Sequence, residues 1–178
     1  MGAYLLILVA VLSRVVVSSH LLWLNFTAVG GSLLYFGARR PLRESVWAVL
    51  AMMGSDYLLT TYCYHYPWHT SQYLVTWGWY AAAIVLGSIL LRRRMSTARL
   101  VAAPVLASTS FFAVSNFAVW AAWPTYPHTL AGLGACYVAG LPFYRNDLLS
   151  TVAVTAAAFG VEAMARRMAE QRQHRLAA

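Results

Sequence analysis

Asn116 and Trp120 stand four residues apart in an apolar stretch, so on a helix they share one face. An amide beside an indole can hydrogen-bond and stack a small polar molecule. The same amide can instead join two helices, a bond worth about 1 kcal/mol. Asp56 is the only acidic residue deep within an apolar run, and Arg14 is the only basic residue within the first one. A charge near a bilayer centre is costly unless it is paired or wetted. Asp56 and Arg14 therefore point to a polar cavity with a substrate contact or to a structural ion pair, and the two readings are compatible. Arg145, Asn146 and Asp147 follow Pro142. Asn146 or Asp147 suits an N-cap for the helix that follows. Arg145 either snorkels to the surface or meets a ligand or an internal acid, with Asp147 nearest and Asp56 further off. Tyr126 and Tyr137 fit either hydrogen-bonding places at a cavity or an ordinary interfacial belt.

Other chemistry is weakly marked. Cys63, His65, His69, His20 and His128 are metal-ligand types. Pro67 between His65 and His69 spoils a helical i, i+4 pair, and no metal or cofactor is expected. The sequence has no HExxH, CxxC, P-loop, GxSxG or GxGxxG. Catalysis needs an activated nucleophile or a convergent acid–base pair, and nothing marks one. An enzyme is not expected.

The elements that must position these residues follow from composition. The chain has 178 residues, 61% hydrophobic and 10% charged, and a mean hydropathy of +0.60. Soluble domains carry about 25% charged residues, and so few charges could not cover one. The apolar runs are long and do not alternate with period two, which favours helices over a barrel. The expected fold is therefore an all-α integral membrane protein. Residues 1–165 form one transmembrane domain, and residues 166–178 form a basic cytoplasmic tail. At about 20 residues per crossing, spans are expected near 3–19, 22–38, 44–62, 71–91, 99–121 and 146–165. The first is read as a retained span and not a cleaved signal peptide, because no basic stretch precedes it and Arg14 interrupts it.

The net charge of +8 comes from 13 basic residues, all arginine. All but Arg14 and Arg145 cluster at 39–43, at 92–99 and in the tail, the pattern of cytoplasmic loops and not of a nucleic-acid binder. This parity gives six transmembrane helices with both termini cytoplasmic. It leaves about 129–141 as one short outer-leaflet or re-entrant helix. The opposite face gathers aromatic residues, above all in the run TYCYHYPWH at 61–69, which is denser than a belt needs and suits a lid.

Several stretches carry a family resemblance. They are Asn25-Phe26-Thr27-Ala28-Val29-Gly30, Ser55-Asp56, Ser115-Asn116-Phe117-Ala118-Val119-Trp120, Tyr126-Pro127-His128-Thr129-Leu130-Ala131-Gly132-Leu133, Cys136-Tyr137 and Leu141-Pro142-Phe143-Tyr144-Arg145-Asn146. Over about residues 14 to 160 the chain resembles a bacterial inner-membrane family known as a domain of unknown function. That family is in turn similar to the substrate-binding S components of energy-coupling-factor (ECF) transporters. The resemblance implies six helices, a small-molecule site opening outward, and partners in an ECF-type transmembrane subunit and its ATPases. It puts Asn25, Asp56, Asn116 and Trp120 forward as cavity residues. It does the same for Tyr126, Tyr137, Arg145 and Asn146. The first span lacks the Ala-xxx-Ala pattern with which many S components meet their partner, having only Ala3 and Ala10.

The expected function is capture of a vitamin-like or other small ligand on the outer face of a bacterial inner membrane, for uptake. The alternative is a non-transport accessory or assembly subunit of a larger membrane complex, its aromatic face serving as a protein interface. A cavity lined by Asn116, Trp120 and Arg145 would favour the first.

Overall fold

The computed structural model describes residues 1–18, 26–93 and 95–177. His20, Trp23 and Asn25 lie outside the described residues. The described chain is all helical. Its six α-helices are α1 (Gly2–Ser18), α2 (Val29–Arg39), α3 (Ser45–Leu58), α4 (Leu74–Leu91), α5 (Thr97–Ala122) and α6 (Leu130–Ala177). A π-helical turn, Leu59–Cys63, extends α3, and a 3-10 turn, Thr70–Tyr73, leads into α4. Three segments are long and apolar enough to cross a membrane: Thr70–Leu91, Thr97–Ala122 and Leu130–Leu176. These mark a multi-pass membrane protein.

Contacts at one end set the directions of the helices. Tyr4 of α1 donates to Glu44 at 2.5 Å. Arg39 at the end of α2 pairs with Glu162 of α6 at 2.8 Å and reaches Met95, just before α5. Arg92, just past α4, donates to the carbonyls of Gly37 and Arg40. Successive helices therefore run in alternating directions between this arginine-rich end and the far end.

The bundle is built around α2. All ten residues from Val29 to Ala38 are buried. Its glycines make this possible: a Cβ on Gly37 would collide with the backbone of Ile84, and one on Gly87 with the backbone of Leu34. Two helices can lie this close only where both lack side chains at the crossing.

Two expectations are corrected here. The span expected over 22–38 holds an 11-residue helix, about 16 Å long, which does not begin until Val29. Gly30 and Gly31 are poor helix formers, and the Ala28 N–H donates to the Ser13 hydroxyl of α1 at 2.9 Å. Non-helical backbone at membrane depth survives where protein groups satisfy it, beside a cavity or in the interior. The second correction concerns residues 129–141, which are not a separate short helix. From Leu130 on they are the first part of α6, which runs 48 residues through Pro142. A proline removes one backbone donor, and packing against α5 outweighs that loss. The Tyr137 hydroxyl donates to the Ala113 carbonyl at 2.6 Å, the Cys136 thiol donates to that of Asn116 at 3.3 Å, and Thr109 bonds Tyr144 at 2.9 Å.

Candidate functional site

A cavity of about 350 Å³ lies in the far half of the bundle, away from the arginine-rich end. Helix periodicity explains its walls. Thr76, Trp79 and Tyr80 of α4 are at i, i+3, i+4. On α5, Ser108, Phe111, Phe112, Ser115 and Asn116 continue the series to i+8. On α6, Gly140, Phe143, Tyr144 and Asp147 are at i, i+3, i+4, i+7. Each set is one stripe of a helix. Arg14 of α1 and the start of the α2 segment, Thr27 and Val29, complete the enclosure. The shortness of α2 thus helps to make the space.

Aromatic rings form much of the wall. Trp79 and Phe111 lie 4.5 Å apart by ring centroids, and Phe112 and Tyr144 lie 4.8 Å apart. The Trp79 indole is fixed by donating to the Ala107 carbonyl at 3.1 Å. The Asn116 amide nitrogen donates to the Phe112 carbonyl at 2.8 Å, which leaves its Oδ1 as the atom able to accept. Gly140 lets α6 approach this side chain, because a Cβ there would meet Asn116 Oδ1 and Phe112.

Two acids stand close to this space in opposite conditions. Asp56 is 2% exposed and saturated: Arg14 pairs with Oδ1, the Tyr80 hydroxyl donates to the same oxygen at 3.2 Å, and Trp77 donates to Oδ2 at 2.9 Å. Arg14 also donates to the Ser55 hydroxyl at 2.6 Å. Trp77 belongs to a stack with Trp68 and Tyr73, whose rings lie 4.5 Å apart and nearly parallel. The aromatic run after α3 therefore braces the Arg14–Asp56 corner. Asp147 is different. It lines the cavity beside Ser108, and both Asp147 Oδ2 and Ser108 Oγ are shielded from solvent without a hydrogen bond of good geometry among the described residues. The ion pairs among the described residues use Asp56, Glu44 and Glu162, and none uses Asp147.

The residues singled out in the sequence divide accordingly. Asn116 lines the cavity, and Asp56 holds two of its lining residues, Arg14 and Tyr80. Trp120 lies beyond it, donating to the Pro127 carbonyl at 3.0 Å and meeting His128 edge-on, so it closes the α5–α6 turn. Tyr137 packs edge-on against Phe112 from outside the lining. Tyr126 is half-buried in the turn, Asn146 is half-buried, and Arg145 is exposed; none of the three reaches the cavity. Asn25 lies outside the described residues. Among the described residues no three His, Cys, Asp or Glu side chains come together as a metal site would need.

Fold and site together define a class: a helical, membrane-type protein with a polar-floored aromatic cavity between its helices. The chain belongs to a family of unknown function, DUF6580, whose model matches residues 1–173. No curated protein and no solved structure matches it.

Proposed function

We propose that this protein crosses a bacterial inner membrane six times, with both termini in the cytoplasm, and holds a small molecule in the cavity for uptake. The observation that carries the reading is the cavity itself. At about 350 Å³ it falls in the range of small-molecule sites, roughly 300–1,000 Å³, and it combines an aromatic wall with a few convergent polar groups. The alternating helix directions and the arginine clusters at one end support the orientation. On this reading the cavity lies in the outer half, where a ligand from outside would enter. The resemblance to ECF S components belongs to this proposal and supplies its mode of action: capture here, with energy from a partner module.

Native mass spectrometry of the protein purified in mild detergent tests the reading. The expected result is a noncovalent small-molecule adduct on the wild type, lost in Ser115→Phe, which fills the cavity, while the helical circular dichroism is unchanged. A wild type without an adduct that is isolated with a stoichiometric protein partner would overturn it in favour of an assembly subunit. An adduct retained by Ser115→Phe would overturn the location.

A further inference from the structure

Resting on that reading, we infer that the cavity selects a small organic cation, a protonated amine attached to an aromatic or aliphatic body. The inference comes from which polar groups are already engaged. Among the described residues Arg14 is the only cationic side chain in the lining, and its guanidinium is engaged by Asp56 and Ser55. Its charge is therefore cancelled within the wall. Asp147 has no such partner among the described residues. Arg14, Asp56 and Asp147 together are one guanidinium and two carboxyl groups, so among the described residues one carboxyl is left without a counter-ion. A half-buried carboxylate with one oxygen shielded from water and no counter-ion is costly, and a cationic ligand supplies what is missing.

The neutral groups point the same way. Asn116 uses one of its two amide N–H groups on the Phe112 carbonyl, and its Oδ1, with the Cys136 thiol 3.9 Å away, can still accept. The Trp79 and Tyr80 donors are used on Ala107 and Asp56. The Asp147 carboxylate can only accept, Asn116 Oδ1 also accepts, and the hydroxyls at Ser108 and Ser115 can turn either way. An ammonium group has donors and no acceptor. The rings of Phe111, Phe112, Phe143 and Tyr144 supply apolar surface for the ligand body and faces that attract a cation.

The test uses the intact protein in lipid nanodiscs and three probes of one shape: phenethylammonium, phenylacetate and 2-phenylethanol, measured by calorimetry. The expected order puts phenethylammonium roughly tenfold or more ahead of both others, the scale of one charge-assisted hydrogen bond. Asp147→Asn should erase that preference, bringing phenethylammonium down to the level of the other two probes. The wild-type order is decisive even if the variant fails to fold. Equal or tighter binding of phenylacetate or the alcohol overturns the inference, while the small-molecule reading stands. If no probe binds, the inference fails, and the mass-spectrometric adduct decides separately whether the small-molecule reading fails with it.

Discussion

Asp56 and Asp147 are both acids on apolar helices of the same bundle, and their surroundings differ in kind. Asp56 accepts from an arginine, an indole and a phenol, and the aromatic stack behind Trp77 keeps those donors in place. Asp147 sits at an open wall beside a serine, with no counter-ion among the described residues. A carboxylate in a poorly polarisable setting must be satisfied from within the fold or from outside it. The first arrangement builds structure; the second leaves a demand that a ligand can meet. The same residue type thus does opposite work according to whether its partners are built in.

The largest expected effect breaks the built-in pair. Arg14→Met strands a carboxylate that is 2% exposed, at a cost of about 3–5 kcal/mol. Thermal unfolding in detergent should show a large fall in Tm, or loss of the folded protein. The double variant Arg14→Met/Asp56→Leu should recover part of the loss, since an apolar pair replaces an ionic one. Recovery will be incomplete, because Trp77 and Tyr80 then lack their acceptor. If Arg14→Met left Tm unchanged, the corner would not be structural, and the contrast with Asp147 would disappear.

A smaller effect of opposite sign is expected at the open acid. Asp147→Asn removes a charge that the apo protein does not satisfy, so stability without ligand should stay within about 1 kcal/mol of wild type or rise. A loss comparable to that of Arg14→Met would mean that Asp147 has a structural partner, and the comparison would fail from the other side. Arg145→Ala, two residues away in sequence but exposed, should change neither Tm nor binding.

The contrast between these two acids was only half legible in the sequence. Charges inside apolar runs stand out, so Arg14 and Asp56 were evident as a possible pair, and the alternating course of the helices followed from the arginine clusters. Asp147 was not evident, because Leu141-Pro142 reads as a helix end and an acid five residues later reads as a cap. The helix instead continues through Pro142. That continuity sets one register for Gly140, Phe143, Tyr144 and Asp147, and turns the neighbouring Arg145 about 100° off their stripe, out to the surface. The stripes on α4 and α5 have the same i, i+3, i+4 signature. Ser, Thr and Phe on such a stripe read equally as ordinary packing, so periodicity could suggest the cavity wall but not distinguish it from a helix contact. The late start of α2 depends on a tertiary bond, Ala28 to Ser13, that no local pattern announces.

The smallest expected effect comes from a third acid, which calibrates the other two. Glu44 lies in the turn between α2 and α3, at the arginine-rich end and outside the membrane-spanning segments. The Tyr4 hydroxyl donating to it, with Arg40 beside it, holds its carboxyl below the usual carboxylate range. A folded-state value below the unfolded one means that ionised Glu44 favours the folded protein. That contribution is complete above the unfolded value, near 4.5, and is lost as pH falls through the lower folded value. Between pH 6 and pH 3 the wild type should therefore lose slightly more Tm than Tyr4→Phe, in which the main cause of the depression is gone. The difference should be small, because water and salt screen this surface cluster. If the acid-side difference at Glu44 matched the loss in Arg14→Met, solvent-exposed and buried acids would be contributing alike. Burial would then not set the Asp56 corner or the Asp147 wall apart from the solvent-exposed surface.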